Sequence, residues 1–161
     1  MIHHHSLQLH KTVFMENFKH VSNTWLVAQM INPLVFYSFS LIVWPDWPDI
    51  YYIPLFLVFS FLFSLAGYVL CILSFHFLYR LKFKVYKLFF VWIVVMSICL
   101  VLGLYFTCLI FFDSRTFFEL RWLFAPGILS AIVAACLRFK QFISTIDFLR
   151  YDYFLKETDT I

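Results

Sequence analysis

The side chains of this sequence that could do chemistry are few, and most of them are neutral. Gln29 and Asn32 stand three apart inside an apolar run, on neighbouring positions of one helical face, and Pro33 follows at once. A proline within a helix removes a backbone donor, so the spacing predicts a kink near Ala28 to Pro33, with the two amides available to the freed carbonyls. Polar groups at membrane depth can also contact a ligand or form a gate.

A second set is Ser60, Ser64, Gly67, Cys71 and Ser74, at spacings of 4, 3, 4 and 3. At about 100° per residue they fall in one narrow sector of a helix. Such a stripe lets another helix backbone come close, and its hydroxyls could also line a narrow pore shared between copies of the chain. Gly127, Ser130, Ala131 and Ala134 form another such face, and Cys99, Gly103 and Thr107 a weaker one.

The third set is cationic. Arg80, Lys82, Lys84 and Lys87 crowd one short loop, and Arg138 and Lys140 follow the last apolar run. They can bind anionic lipid headgroups or an acidic cytoplasmic partner.

Other reactive residue types lack company. Each of the four cysteines, Cys71, Cys99, Cys108 and Cys136, falls singly in an apolar run, with no Cys-x-x-Cys pair. His3 to His5 are three ligands without a fourth, read as part of a disordered tail, and His76 is expected at an interface or facing a partner. Asp46 and Asp49, in a doubled Trp-Pro-Asp turn, are two carboxylates where calcium needs more. No Asp, Glu, Lys or Arg lies in the middle of an apolar run, which disfavours ion-coupled transport. No nucleophile and base constellation, phosphate-cradling loop or paired haem histidines can be found, so no enzyme, cofactor, metal or nucleic-acid partner is expected.

The elements that carry these residues follow from composition. The chain has 161 residues, 63% hydrophobic and 13% charged, against about half and a quarter in soluble domains. Phe alone supplies 23 residues and Gly only 3, which suits acyl chains. The expected fold is all-α. Residues 1–20 are read as a flexible cytoplasmic tail without a signal peptide. Residues 21–137 are read as four transmembrane helices in an up-down bundle, with spans at about 21–44, 53–79, 88–112 and 118–137, and Pro126-Gly127 bending the last. In 138–161, Phe139, Ile143, Ile146, Leu149 and Tyr153 recur with helical spacing, which predicts an amphipathic cytoplasmic helix that lies on the membrane or meets a partner.

With four spans, Lys11, Lys19, the loop cations, Arg138, Lys140, Arg150 and Lys156 share one side, and Arg115 and Arg121 the other. The positive-inside rule then places both termini in the cytoplasm, in a bacterium at the inner membrane. Three small-residue stripes exceed what four helices need among themselves. The expected function is therefore a non-enzymatic membrane subunit, an anchor, scaffold or sensor, that self-associates or joins another membrane protein. Two alternatives stand beside it. One is an oligomeric pore or membrane-perturbing effector that depolarises the membrane, as in bacterial phage defence. The other is a facilitator for a small neutral solute, which requires a cavity around Gln29 and Asn32.

Overall fold

The computed structural model describes residues 2–43, 53–111 and 124–158, with side chains for 12–42, for 54–111 except 55, 56 and 59, and for 124–151. Every described element is helical: α1 (Ile2–Val43), α2 (Ile53–Leu78), α3 (Val85–Phe111), α4 (Phe124–Leu137) and α5 (Phe139–Thr158).

The helices are apolar on both faces. In α3, Leu88, Trp92, Met96, Cys99, Gly103 and Thr107 are buried. Phe90, Val94, Ile98, Leu102, Phe106 and Leu109 alternate with them and are exposed. Both sets recur every three or four residues, so the face turned outward is at least as hydrophobic as the face turned in. Water would not tolerate that surface, whereas lipid requires it. Three stretches, Thr12–Ile42, Ser60–Leu78 and Val85–Phe111, are long and apolar enough to cross a membrane. A fourth crossing results if α4 and α5, bent by 69° about Arg138, count as one span. This composition and length are compatible with an integral membrane location.

Around the core, α1 packs against α2 and α4, and α2 packs against α3, while α3 meets α4 over a thinner contact. The tightest crossing joins α2 to α3 at two glycines. A Cβ on Gly103 would collide with the backbone of Gly67, and one on Gly67 would stand 3.1 Å from the Cys99 carbonyl oxygen. Side-chain-free positions on both helices are what let their backbones approach this closely.

Several expectations change here. α1 does not begin near Val21. It is helical from Ile2, and Asn17 and His20, assigned above to a flexible tail, are buried. The polar residues Asn17 and His20 lower the local hydropathy, but they lie on the inner face, which continues through Val21, Thr24 and Ala28, all of them buried. Pro33 lies inside α1, with helix on both sides of it. Pro126 and Gly127 both lie within the described α4, and no positive φ occurs at Gly127. The inner face of α5 is Phe142, Ile146 and Leu149, at most 1% exposed, packed on the chain's own bundle. The Trp-Pro-Asp turn with Asp46 and Asp49, the loop bearing Arg115 and Glu119, and Arg121 lie outside the described residues, as do the side chains of Lys11, Tyr153 and Lys156.

Candidate functional site

The two intramembrane amides do not serve the backbone near Pro33; they reach across to other helices. Asn32 Nδ2 donates to Ser60 Oγ at 2.6 Å, and Ser60 Oγ donates to Gln29 Oε1 at 2.7 Å. Gln29 Nε2 donates to Ser64 Oγ at 2.7 Å, and so does Trp25 Nε1 at 3.0 Å. Ser64 in turn donates to the Phe61 carbonyl at 3.1 Å. On the far side, Ser130 Oγ lies 3.1 Å from Asn32 Oδ1 and donates to the Pro126 carbonyl at 2.7 Å. One neutral network therefore ties α1 to both α2 and α4.

The α2 stripe is divided between two neighbours. Ser60 and Ser64 face α1, whereas Gly67 meets α3 and Ser74 Oγ lies 3.4 Å from Cys99 Sγ of α3. Cys71 is buried and lines the cavity described next. On α4, Ser130, Ala131 and Ala134 are buried, while Gly127 borders open space: a Cβ there would meet nothing within 4 Å.

Gly127 also lines a cavity of about 290 Å³ within the bundle. Gln29, Asn32, Ser60 and Ser64 form its polar wall. Trp92, Met96, Leu100 and Leu104 of α3 and Phe124, Gly127 and Ile128 of α4 add apolar lining, and the cavity is partly open rather than enclosed. Among the described residues that line it there is no carboxylate, amine or guanidinium. Toward the basic loop, aromatic rings fill the core: Phe75 meets Trp92 edge-on at 4.8 Å and His20 in a stack at 5.1 Å, and Phe89 meets Phe142 at 5.3 Å.

Beyond those rings is a second polar region that the sequence did not reveal. Asn17 is fully buried, and its Nδ2 lies 3.3 Å from His76 Nδ1. Arg80 Nη2 lies 3.0 Å from His76 Nε2, so two donors address one imidazole, and a neutral ring can accept from only one. Asn17 Oδ1, His20 Nδ1 and Arg138 Nε are buried with no hydrogen-bond partner. Nearby, the Arg150 guanidinium donates to the carbonyls of Leu81 and Phe83, each at 2.6 Å, and more weakly to that of Tyr79 at 3.4 Å. The basic loop is thus held from below by α5. Arg80, Lys82, Lys84, Lys87 and Lys140 are exposed, and Arg138 is half-buried.

Trp25 is the functional neighbour that sequence reasoning missed. Its ring stacks on Tyr68 at 4.8 Å and its N–H holds Ser64 as an acceptor. The signal was its place one helical turn before Gln29. Among the described residues, no three His, Cys, Asp or Glu side chains come together to hold a metal. No protein-family model, curated protein or solved structure matches this chain.

Proposed function

We propose that this is a non-enzymatic multi-pass membrane protein that takes a small, uncharged, largely apolar molecule into the core of its helix bundle. The observation that carries this reading is the cavity, lined mostly by apolar side chains with the neutral polar groups of Gln29, Asn32, Ser60 and Ser64 among them. Ligand sites generally combine an apolar lining with a few placed polar groups, and about 300 Å³ is the lower end of their size. An ion would find no countercharge there, whereas a neutral solute would leave none unpaired.

Gly127 makes the test clean, because the wall is open at its Cα. In lipid nanodiscs, brominated nonane entering the cavity should quench Trp25 and Trp92. Gly127→Ala should keep that quenching, and Gly127→Leu, whose side chain fills the space, should lose most of it. Equal quenching in all three proteins would end the proposal.

A second reading concerns the cationic end. Arg80, Lys82, Lys84, Lys87 and Lys140 project there together, and each cation near an anionic leaflet contributes about 1 kcal/mol of attraction. They support an orientation with the basic loop and both termini in the cytoplasm, resting on anionic headgroups. Self-association through surplus stripes has less to recommend it, since the small faces of α2 and α4 are used inside one chain. The pore reading loses its lining for the same reason: Ser60, Ser64 and Ser74 each have partners within the chain.

A further inference from the structure

The hydrogen-bond balance of the polar wall says what kind of polar atom the cavity lacks. The two amides carry four N–H bonds, and two of them are used, one to Ser60 and one to Ser64. The three hydroxyl protons are all used, toward Gln29 Oε1, the Phe61 carbonyl and the Pro126 carbonyl. Trp25 Nε1 adds a donor, also used. Two amide N–H groups remain, on residues that both line the cavity.

This balance does not depend on the direction of the chain of bonds. Exchanging O and N on both amides makes Asn32 donate to Ser130 and Gln29 donate to Ser60, while Ser60 and Ser64 donate back to the amide oxygens. Two N–H groups are again left over, and no hydroxyl proton is free. Gln29 Oε1 accepts one bond in either arrangement; Asn32 Oδ1 accepts one from Ser60 in the second and shares the Ser130 proton with the Pro126 carbonyl in the first. A buried carbonyl with one lone pair idle is common in proteins, whereas a buried N–H with no acceptor is rare. The unmet demand of this wall is for acceptors.

Resting on the cavity reading above, we infer that the bound molecule presents a neutral hydrogen-bond acceptor, a ketone, ester or ether oxygen, to the spare N–H groups of Gln29 and Asn32, and brings no donor of its own. Its remaining atoms lie along Met96, Leu100 and Leu104. A hydrocarbon of the same shape would enter but leave both N–H groups unmet. A donor such as a pyrrole N–H would add to the surplus.

The test uses the full chain in nanodiscs and three probes of similar size: heptyl methyl ketone with an isotopically labelled carbonyl, nonane, and pentylpyrrole. The ketone should displace brominated nonane roughly tenfold better than nonane does, the effect of one net hydrogen bond. Pentylpyrrole should do no better than nonane. The infrared band of the labelled carbonyl should move to lower frequency than in protein-free lipid, and Gln29→Met should shrink that shift while brominated nonane still quenches. The infrared measurement on the unmodified protein stands even if a variant fails to fold. An unshifted carbonyl band, or a pyrrole that competes better than the ketone, would overturn the acceptor inference and leave the cavity reading intact. Failure of brominated nonane to distinguish the unmodified protein from Gly127→Leu would remove both.

Discussion

The bundle holds two polar regions, and they are built differently. Midway along the spans, Gln29, Asn32, Ser60, Ser64 and Ser130 are all neutral, each bonded to another helix or to its own backbone. At the basic end, Asn17, His20, His76, Arg80 and Arg138 mix charge with burial and leave three polar atoms without partners. For a chain that spans a membrane, position along the membrane normal accounts for the contrast. In a hydrocarbon core a polar group must find its partner inside the protein, and this network is closed apart from two amide N–H groups on residues that line the cavity. Near the interface, water and headgroups can complete what the protein leaves open.

That contrast can be broken in four ways. The largest effect is expected from neutralising Lys82, Lys84 and Lys87 together to Gln. If these cations hold the basic end in the cytoplasm, a substantial fraction of chains should insert inverted, seen as altered accessibility of tags at the two termini. Unchanged orientation would mean that Arg80, Arg138 and Lys140 suffice. Next comes Asn32→Leu, which removes the Asn32 contacts to Ser60 and Ser130 and leaves Gln29 as the link from α1 to Ser60. Interhelical hydrogen bonds in membranes contribute about 0.6 kcal/mol on average and up to about 1.7, so a loss of about 1–3 kcal/mol should appear in a denaturing-detergent titration. No loss would show that the closed network is not structural.

Arg150→Ala should cost less, about 1 kcal/mol, although it removes contacts to Leu81, Phe83 and Tyr79. Those carbonyls lie at an exposed loop where water can replace the guanidinium. The basic loop should nonetheless exchange its amide hydrogens faster. The smallest change, and one of opposite sign, is expected from His20→Phe. It removes a buried nitrogen with no partner from between Phe75 and Phe142, so thermal stability in detergent should stay level or rise slightly. A clear fall would show that His20 Nδ1 is bonded in the membrane to a water or ligand.

Parts of this arrangement are legible in residue spacing alone. Gln29 and Asn32 share a helical face because they are three apart, and the α2 stripe follows from its alternating spacing. The meeting of the two is not legible there, because periodicity gives the direction of a face and not its neighbour. The division of the α2 stripe comes from packing: α3 approaches closely enough at Gly67 and Gly103 to claim that part of the face, leaving Ser60 and Ser64 to α1. The early start of α1 is hidden because the inner face continues through buried polar residues, Asn17 and His20, which a hydropathy reading assigns to solvent. The inner face of α5 is readable as periodicity, but that periodicity is the same for a helix on a membrane, against a partner or against its own bundle.

By itself, the sequence determined an all-helical chain with spans of apolar residues, a neutral membrane interior and a cluster of cations at one loop, since composition and helical spacing are local properties. Only the tertiary structure decided that the amides of α1 close onto the serines of α2 and α4, that a cavity of about 290 Å³ remains beside them, and that two N–H groups are left over. Those outcomes depend on which helices become neighbours and how closely they pack. Residues 35 and 98 positions apart in the chain settle that balance, and no local pattern records it.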